Sequence, residues 1–154
     1  MSRRHDSLIP LSRQHQHALA LALIIRRRDG LDQGEETWRE KTAEKIRNAY
    51  TVELAGHFEV EEAVLFPEME KYLGKLPLVT ELVKDHKTLH SLVQSIEAAP
   101  AAALFDDFSA RLDAHVRKEE RQLFAEFESR MPKQEALALG REIESRLIKV
   151  CPGI

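Results

Sequence analysis

The residues best suited to chemistry form a histidine and glutamate pattern that occurs twice in the sequence. His57 is followed four residues later by Glu61, and His115 is followed at the same spacing by Glu119. Residues four apart lie on one face of a helix about one turn apart, so each copy places an imidazole and a carboxylate side by side. Two such helices facing each other could share metal ions between them.

Three further histidines fall where helical periodicity predicts buried side chains. His15 interrupts one apolar stripe, and His86 and His90 interrupt another, with Leu89 as the alternative to His90 on that stripe. Burying several ionisable groups without compensation costs several kcal/mol each, which is large against the roughly 5 to 15 kcal/mol net stability of a domain. Bound cations would compensate that cost, so we interpret the whole set as metal ligands. The candidate ligands are His15, His57, Glu61, His86, His90, His115 and Glu119.

The types of these ligands restrict the metal. Imidazole together with carboxylate suits iron, manganese or zinc, whereas magnesium and calcium prefer oxygen ligands alone. Seven candidate ligands exceed what one tetrahedral zinc ion needs, so we expect two ions and take iron as the first choice. Ferritin-like di-iron bundles use Glu-x-x-His in two helices. Here the histidine comes first and the glutamate follows four residues later, so the pattern is a different one.

Hydrophobic periodicity predicts helices that would position these ligands. Pro10 and Ser12 mark the start of the first helix. Pro67 is expected to bend or end the second, although the residues to Tyr72 could continue it past a kink. The expected breaks lie at Gly30 to Glu36, Gly74, Ala98 to Pro100 and Met131-Pro132. Short loops favour antiparallel neighbours, so we expect an all-α, up-down-up-down four-helix bundle with an additional C-terminal helix. One domain over residues 1–154 is predicted, with the bundle at about 8–130 and the last helix at about 132–150.

Composition agrees with one helical domain and excludes several classes of function. Of 154 residues, 43% are hydrophobic and 32% are charged. The net charge is −3, and acidic and basic residues are interspersed, so no basic face for nucleic acid stands out. No apolar run approaches the ~20 residues that cross a bilayer, so no membrane partner is expected. Cys151 has no second cysteine to pair with, which favours a reducing compartment and a cytoplasmic location.

Several polar residues near the candidate ligands are interpreted as structural. Glu62 and Glu120 are expected to be solvated or interhelical charges. Tyr50 and Glu53 are expected to be packing residues, with orienting an imidazole or lining the pocket as the alternative for both. His5 and His17 are expected to be exposed rather than to bind metal. Arg26-Arg27-Arg28 is interpreted as a group of cations at the end of a helix, where they suit the helix dipole.

Together, the ligand positions resemble the hemerythrin-like (HHE cation-binding) family over roughly residues 8–128. The resemblance rests on His15, His57-x-x-x-Glu61, His86-x-x-x-His90 and His115-x-x-x-Glu119. It implies one iron held by His86, His90 and His115, and another held by His15 and His57. Glu61 and Glu119 would bridge the two irons together with an oxo or hydroxo group, and zinc or manganese could substitute.

One position departs from the oxygen-carrying members of that family. They have an aspartate five residues after the last histidine, whereas this chain has Glu119 at four and Glu120 at five. We assign the bridge to Glu119, because it repeats the spacing of Glu61, and keep Glu120 as the alternative.

The resemblance implies a metal-dependent binding protein rather than an enzyme. The expected partner is dioxygen or another small diatomic such as nitric oxide, and a role in sensing or handling iron is also open. The alternatives are a di-iron enzyme that reduces peroxide or nitric oxide, an iron-storage or repair protein, and, least favoured, structural zinc. The fifth helix could mediate a homodimer or simply cover the bundle.

Overall fold

The computed structural model describes residues 3–151 and consists of helices joined by short connections. The predicted all-α class is confirmed, since these residues contain no strand. Single helical turns, Asp6–Leu8 and Leu31–Gln33, precede the first two long helices. We number the long helices α1 (Ile9–Arg26), α2 (residues 35–73), α3 (Pro77–Ala98), α4 (residues 102–130) and α5 (Lys133–Val150).

Two of the long helices contain wider, π-helical turns. In α2 such turns span Tyr50–Leu54 and Glu61–Leu65, and in α4 one spans Glu119–Leu123. Pro67 does not end α2, which continues to Leu73, so the continuation past the proline that the sequence left open is what the structure shows. The proline lies two residues after the second wide turn, in the first turn of the segment Phe66–Leu73, where a missing backbone N–H is tolerated.

The connection between α1 and α2 depends on left-handed backbone conformations. Gly30 and Gly34 have φ angles of 90° and 108°, which glycine adopts without a Cβ clash. Arg28 is also left-handed, with φ 57°. Its guanidinium forms a 3.0 Å ion pair with Asp106 and lies 5.0 Å from the Trp38 ring centroid. Arg28 therefore ties this connection to α2 and α4, a contact that the helix-end interpretation did not predict.

Buried apolar side chains form two clusters, one on each side of a polar layer. In α1, Leu11 belongs to one cluster and Ala18 to the other, with His15 between them. In α3, Leu82 and Leu89 bracket His86 in the same way. The helices therefore hold the candidate ligands between two packed hydrophobic regions rather than at an end of the protein.

Helix α5 packs on only one of these clusters. Its buried residues belong to the cluster that contains Leu8 and Leu11, and its neighbours include α2 and the turn Asp6–Leu8. The Ser7 hydroxyl donates a 2.8 Å hydrogen bond to the carbonyl of Ala136. The α5 residues buried in this cluster are Ala136, Leu139, Ile143 and Leu147.

Among residues 3–151, no helix is both long and apolar enough to span a bilayer.

Candidate metal centre

Six of the seven predicted ligands converge in the polar layer between the two apolar clusters. Helix α1 contributes one of them, α2 two, α3 one and α4 two. None of the six residues is more than 4% exposed. They are His15, His57, Glu61, His86, His115 and Glu119.

The six side chains form two overlapping groups. One group contains His15 and His57, the other contains His86 and His115, and both contain Glu61 and Glu119. Within each group, the ligand atoms lie within 4.8 Å of one another. Each group could hold a metal ion, and the two groups share both carboxylates.

The oxygens of Glu61 are divided between the two groups. Oε2 lies 3.3 Å from Nε2 of His57, and Oε1 lies 3.2 Å from Nε2 of His86. Because one oxygen faces each group, this carboxylate can bridge two cations.

Glu119 has the same relationship to the remaining pair of histidines. Its Oε1 lies 3.2 Å from Nε2 of His15, and its Oε2 lies 3.3 Å from Nε2 of His115. The repeated His-x-x-x-Glu pattern of the sequence therefore appears in space as two carboxylates, each placed between both groups.

Each of the four imidazoles is held at its outer nitrogen, Nδ1, by a side chain from a different helix. These contacts run in a closed cycle, from α1 to α2, α2 to α3, α3 to α4, and α4 back to α1. The Nδ1 contacts are Gln14 to His57 (2.6 Å), Glu62 to His86 (2.8 Å), Asp85 to His115 (2.9 Å) and Glu120 to His15 (2.6 Å).

These outer contacts fix which imidazole nitrogen faces the centre with a lone pair. Every partner atom is a carboxylate or amide oxygen, so Nδ1 carries the hydrogen and donates it. The inner nitrogen, Nε2, then presents a lone pair, as a metal-ligating neutral imidazole requires. All four rings are consequently oriented to donate electron pairs into one space.

The inward-facing atoms have no other partner among the described residues. The four Nε2 atoms, together with both oxygens of Glu61 and of Glu119, are buried and accept no hydrogen bond. A buried polar atom without a partner costs about 1–3 kcal/mol, and eight such atoms share this one space. Cations would satisfy all of them at once, so the donor set fits a pair of metal ions.

The protonation states favoured by the site also suit metal binding. Burial lowers the pKa of His15 and of His115 below the ordinary histidine value, which favours neutral rings. Burial alone would raise the pKa of Glu61, but the nearby imidazoles of His57 and His86 lower it well below its usual range. Neutral imidazoles and an ionised carboxylate are the forms that coordinate metals.

A family comparison agrees with this geometry. A model of the hemerythrin HHE cation-binding domain matches residues 10–127, a segment that contains all six converging ligands. The chain belongs to the hemerythrin HHE cation-binding family. This confirms the resemblance inferred from the sequence. No curated protein and no solved structure gives a significant match.

The seventh predicted ligand, His90, lies outside both groups. The resemblance to the HHE family placed it with His86 and His115, but its side chain is exposed and its Nδ1 lies 2.8 Å from the Tyr50 hydroxyl. The adjacent Leu89 is 1% exposed and occupies the inward position of that helical turn. Positions three and four residues after His86 lie on either side of the inward direction, so packing decides which one is buried.

The structure shows which role two carboxylates have and adds two positions that the sequence did not suggest. Glu62 and Glu120 were expected to be solvated or interhelical charges, and both are interhelical, because each contacts an imidazole of a neighbouring helix. Gln14 and Asp85 do the same and were not singled out. All four residues adjoin a ligand in the sequence: each glutamate follows a bridging glutamate, and each of the other two precedes a histidine. A polar neighbour of a ligand is the sequence signal that could have identified them.

Aromatic rings pack against two of the histidines. Phe58 stacks on His86 with ring centroids 4.0 Å apart, and Phe124 stacks on His15 at 5.4 Å. On the Phe58 side, a surface groove of about 650 Å³ reaches Glu62 and His86 and is also lined by Tyr50 and His90. Members of the HHE family bind cations, and in this chain the cation positions would be walled by aromatic side chains on two sides.

Proposed function

We propose that this HHE domain binds two iron ions and uses them to bind a small diatomic ligand, dioxygen or nitric oxide. The observation that carries the proposal is the set of eight buried, partnerless donor atoms in two groups that share Glu61 and Glu119. The two-group arrangement favours a pair of ions over a single structural zinc, which needs only four ligands.

The ligand types support iron. Each group offers two imidazole nitrogens and one oxygen from each of two carboxylates, a mixture typical of non-haem iron proteins. This is fewer donors than an octahedral ion accepts, so each ion keeps room for an external ligand. When bound, a pair of iron ions supplies reversible electron donation to such a ligand.

An apolar surrounding favours binding over turnover, because it keeps water and its protons away from a bound ligand. Leu65 and Leu123, both fully buried, and the stacked rings of Phe58 and Phe124 add apolar walls that exclude water.

The proposed architecture is the up-down-up-down bundle of α1 to α4 with α5 on the outside. The closed cycle of side-chain contacts from α1 through α4 supports it, because such a cycle needs four helices around one centre. The restriction of the buried face of α5 to one apolar cluster supports an outer position for that helix.

Metal analysis tests the proposal directly. Protein produced without added metal should contain close to two irons per chain, and the reduced, oxygen-free form should change its absorption spectrum reversibly on exposure to dioxygen or nitric oxide. A content of one zinc per chain would overturn the two-iron proposal. Two irons with no reversible spectral change toward either gas would overturn the proposed ligand and leave the metal centre standing.

A further inference from the structure

The two histidines of one group are both supported by carboxylates. Glu62 Oε2 lies 2.8 Å from Nδ1 of His86, and Asp85 Oδ2 lies 2.9 Å from Nδ1 of His115. Asp85 also contacts the Lys118 ammonium at 2.8 Å. Among the described residues, no lysine or arginine forms an ion pair with Glu62, so that carboxylate is shared with no cation.

The two histidines of the other group have weaker support. His57 bonds the amide oxygen of Gln14, which carries no charge and is 2% exposed. His15 does bond a carboxylate, Glu120, but the same oxygen accepts a 2.7 Å hydrogen bond from the Ser12 hydroxyl. The other oxygen of Glu120 lies 3.1 Å from the Arg4 guanidinium. Only one of these two rings therefore has an anionic partner, and that anion is shared.

This difference bears on how strongly each ring can donate to a metal. A carboxylate that accepts the Nδ1 hydrogen increases the basicity of Nε2, and loss of such a partner typically weakens metal binding by about 10-fold to 100-fold. A neutral amide orients the ring without adding that charge. The inner ligand sets of the two groups match, so the outer partners are what distinguish them.

We infer that the two metal positions are unequal: the position at His86 and His115 fills first and binds more tightly, and the position at His15 and His57 holds the more exchangeable ion. Glu62 and Gln14 are the positioning residues that set the difference. The inference rests on the proposed two-metal centre and identifies which of its ions can be exchanged.

Titration of the metal-free protein with Co²⁺ under reducing conditions tests this inference. Calorimetry and visible absorption should resolve two binding steps, with the first about 10-fold or more tighter than the second. In Glu62→Gln the affinity of the first step should fall by about 10-fold, while the affinity of the second changes little. Glu62 is 42% exposed, so this substitution should leave the fold intact, which circular dichroism would verify.

Glu59→Gln is the matched control for Glu62→Gln. Glu59 is exposed and lines the same groove, one helical turn away. The substitution removes the same charge, but among the described residues Glu59 forms no hydrogen bond or ion pair with an imidazole. If the two variants weaken the first step equally, only long-range charge matters and the inference is overturned.

The opposite substitution, Gln14→Glu, gives an independent readout. A carboxylate at this position should raise the affinity of the second step by about 10-fold, since His57 would gain the support that His86 has. Neither a packing defect nor a general loss of stability would produce that increase.

Two further results would overturn the inference. In the first, Glu62→Gln weakens only the second binding step. The position at His86 and His115 would then be no tighter than the position at His15 and His57. In the second, Gln14→Glu folds but leaves the second step unchanged. A wild-type protein that binds fewer than two Co²⁺ ions would instead overturn the proposed two-metal function, and the inference with it.

Discussion

The Tyr50 hydroxyl lies 2.8 Å from Nδ1 of His90, and the two rings are 5.6 Å apart. This contact holds the His90 imidazole at the surface groove instead of at the metal centre. Helix α3 therefore contributes one buried imidazole rather than two. The consequence is a more symmetric centre than the family resemblance implied, with two histidines in each group.

The first prediction separates His90 from the ligands. His90→Ala should retain two metal ions per chain, because its ring is exposed and outside both groups. His86→Ala, one helical turn earlier, should lose at least one ion, since it removes one of the Nε2 donors. Metal content measured by elemental analysis on both variants checks this. An equal loss of metal in the two variants would show that His90 is a ligand.

The sequence predicted most of the centre, and the missing parts have physical reasons. The spacing of four residues was sufficient to place His57 beside Glu61, because helix geometry fixes that relationship. It could not separate His90 from Leu89, since both positions flank the inward direction and only side-chain packing chooses between them. It also could not show that Gln14 and Asp85 reach rings on neighbouring helices, because that depends on how the helices pack.

The fold shows the same division. Helix ends at glycine and proline followed from local rules, as at Gly74, where φ is 82°, and at Pro77, which starts α3. The wide turns did not follow, because no local signal marks them. Two of them begin at Glu61 and Glu119, the carboxylates that both groups share, and π-helical turns occur frequently at functional sites.

The second prediction distinguishes the bridging carboxylate from its neighbour. Glu119→Gln should reduce the content of both metal ions, since each oxygen of Glu119 faces a different group. Glu120→Gln should leave both ions in place and weaken binding only at the group that contains His15, by about 10-fold to 100-fold. Metal content and Co²⁺ titration of the two variants measure the difference. Greater loss in Glu120→Gln would transfer the bridging role to Glu120.

The third prediction concerns the pH dependence of the metal-free protein. Burial lowers the pKa of His15 and of His115 below the ordinary histidine value. Between the folded pKa values and about 6.5 the unfolded chain binds more protons than the folded chain, so the free energy of unfolding should decrease as the pH falls through this window. Urea denaturation at several pH values between 7.5 and 5 measures it.

The metal-loaded protein provides the comparison for that experiment. Coordinated imidazoles bind no proton while the ion is present, whereas the unfolded chain binds protons below about 6.5. The free energy of unfolding of the metal-loaded protein should therefore decrease over the same window and continue to decrease below the folded pKa values, where the profile of the metal-free protein flattens. Identical pH profiles with and without metal would contradict the assignment of these histidines as ligands.

The last prediction tests how α5 is attached, through a substitution whose usual effect should be reversed. Replacing a glycine within a helix by alanine normally adds about 0.5–1 kcal/mol of stability. At Gly140, however, a Cβ atom would lie 2.9 Å from the backbone Cα of Ser7, and Ser7 is itself held by its hydrogen bond to Ala136. Gly140→Ala should therefore lower the free energy of unfolding, by about 1–3 kcal/mol for such overpacking.

Ala138→Gly, at an exposed position of the same helix, calibrates the effect of helix propensity alone at about 1 kcal/mol. A gain of stability in Gly140→Ala, measured by denaturant unfolding, would mean that α5 does not pack this closely on the turn Asp6–Leu8.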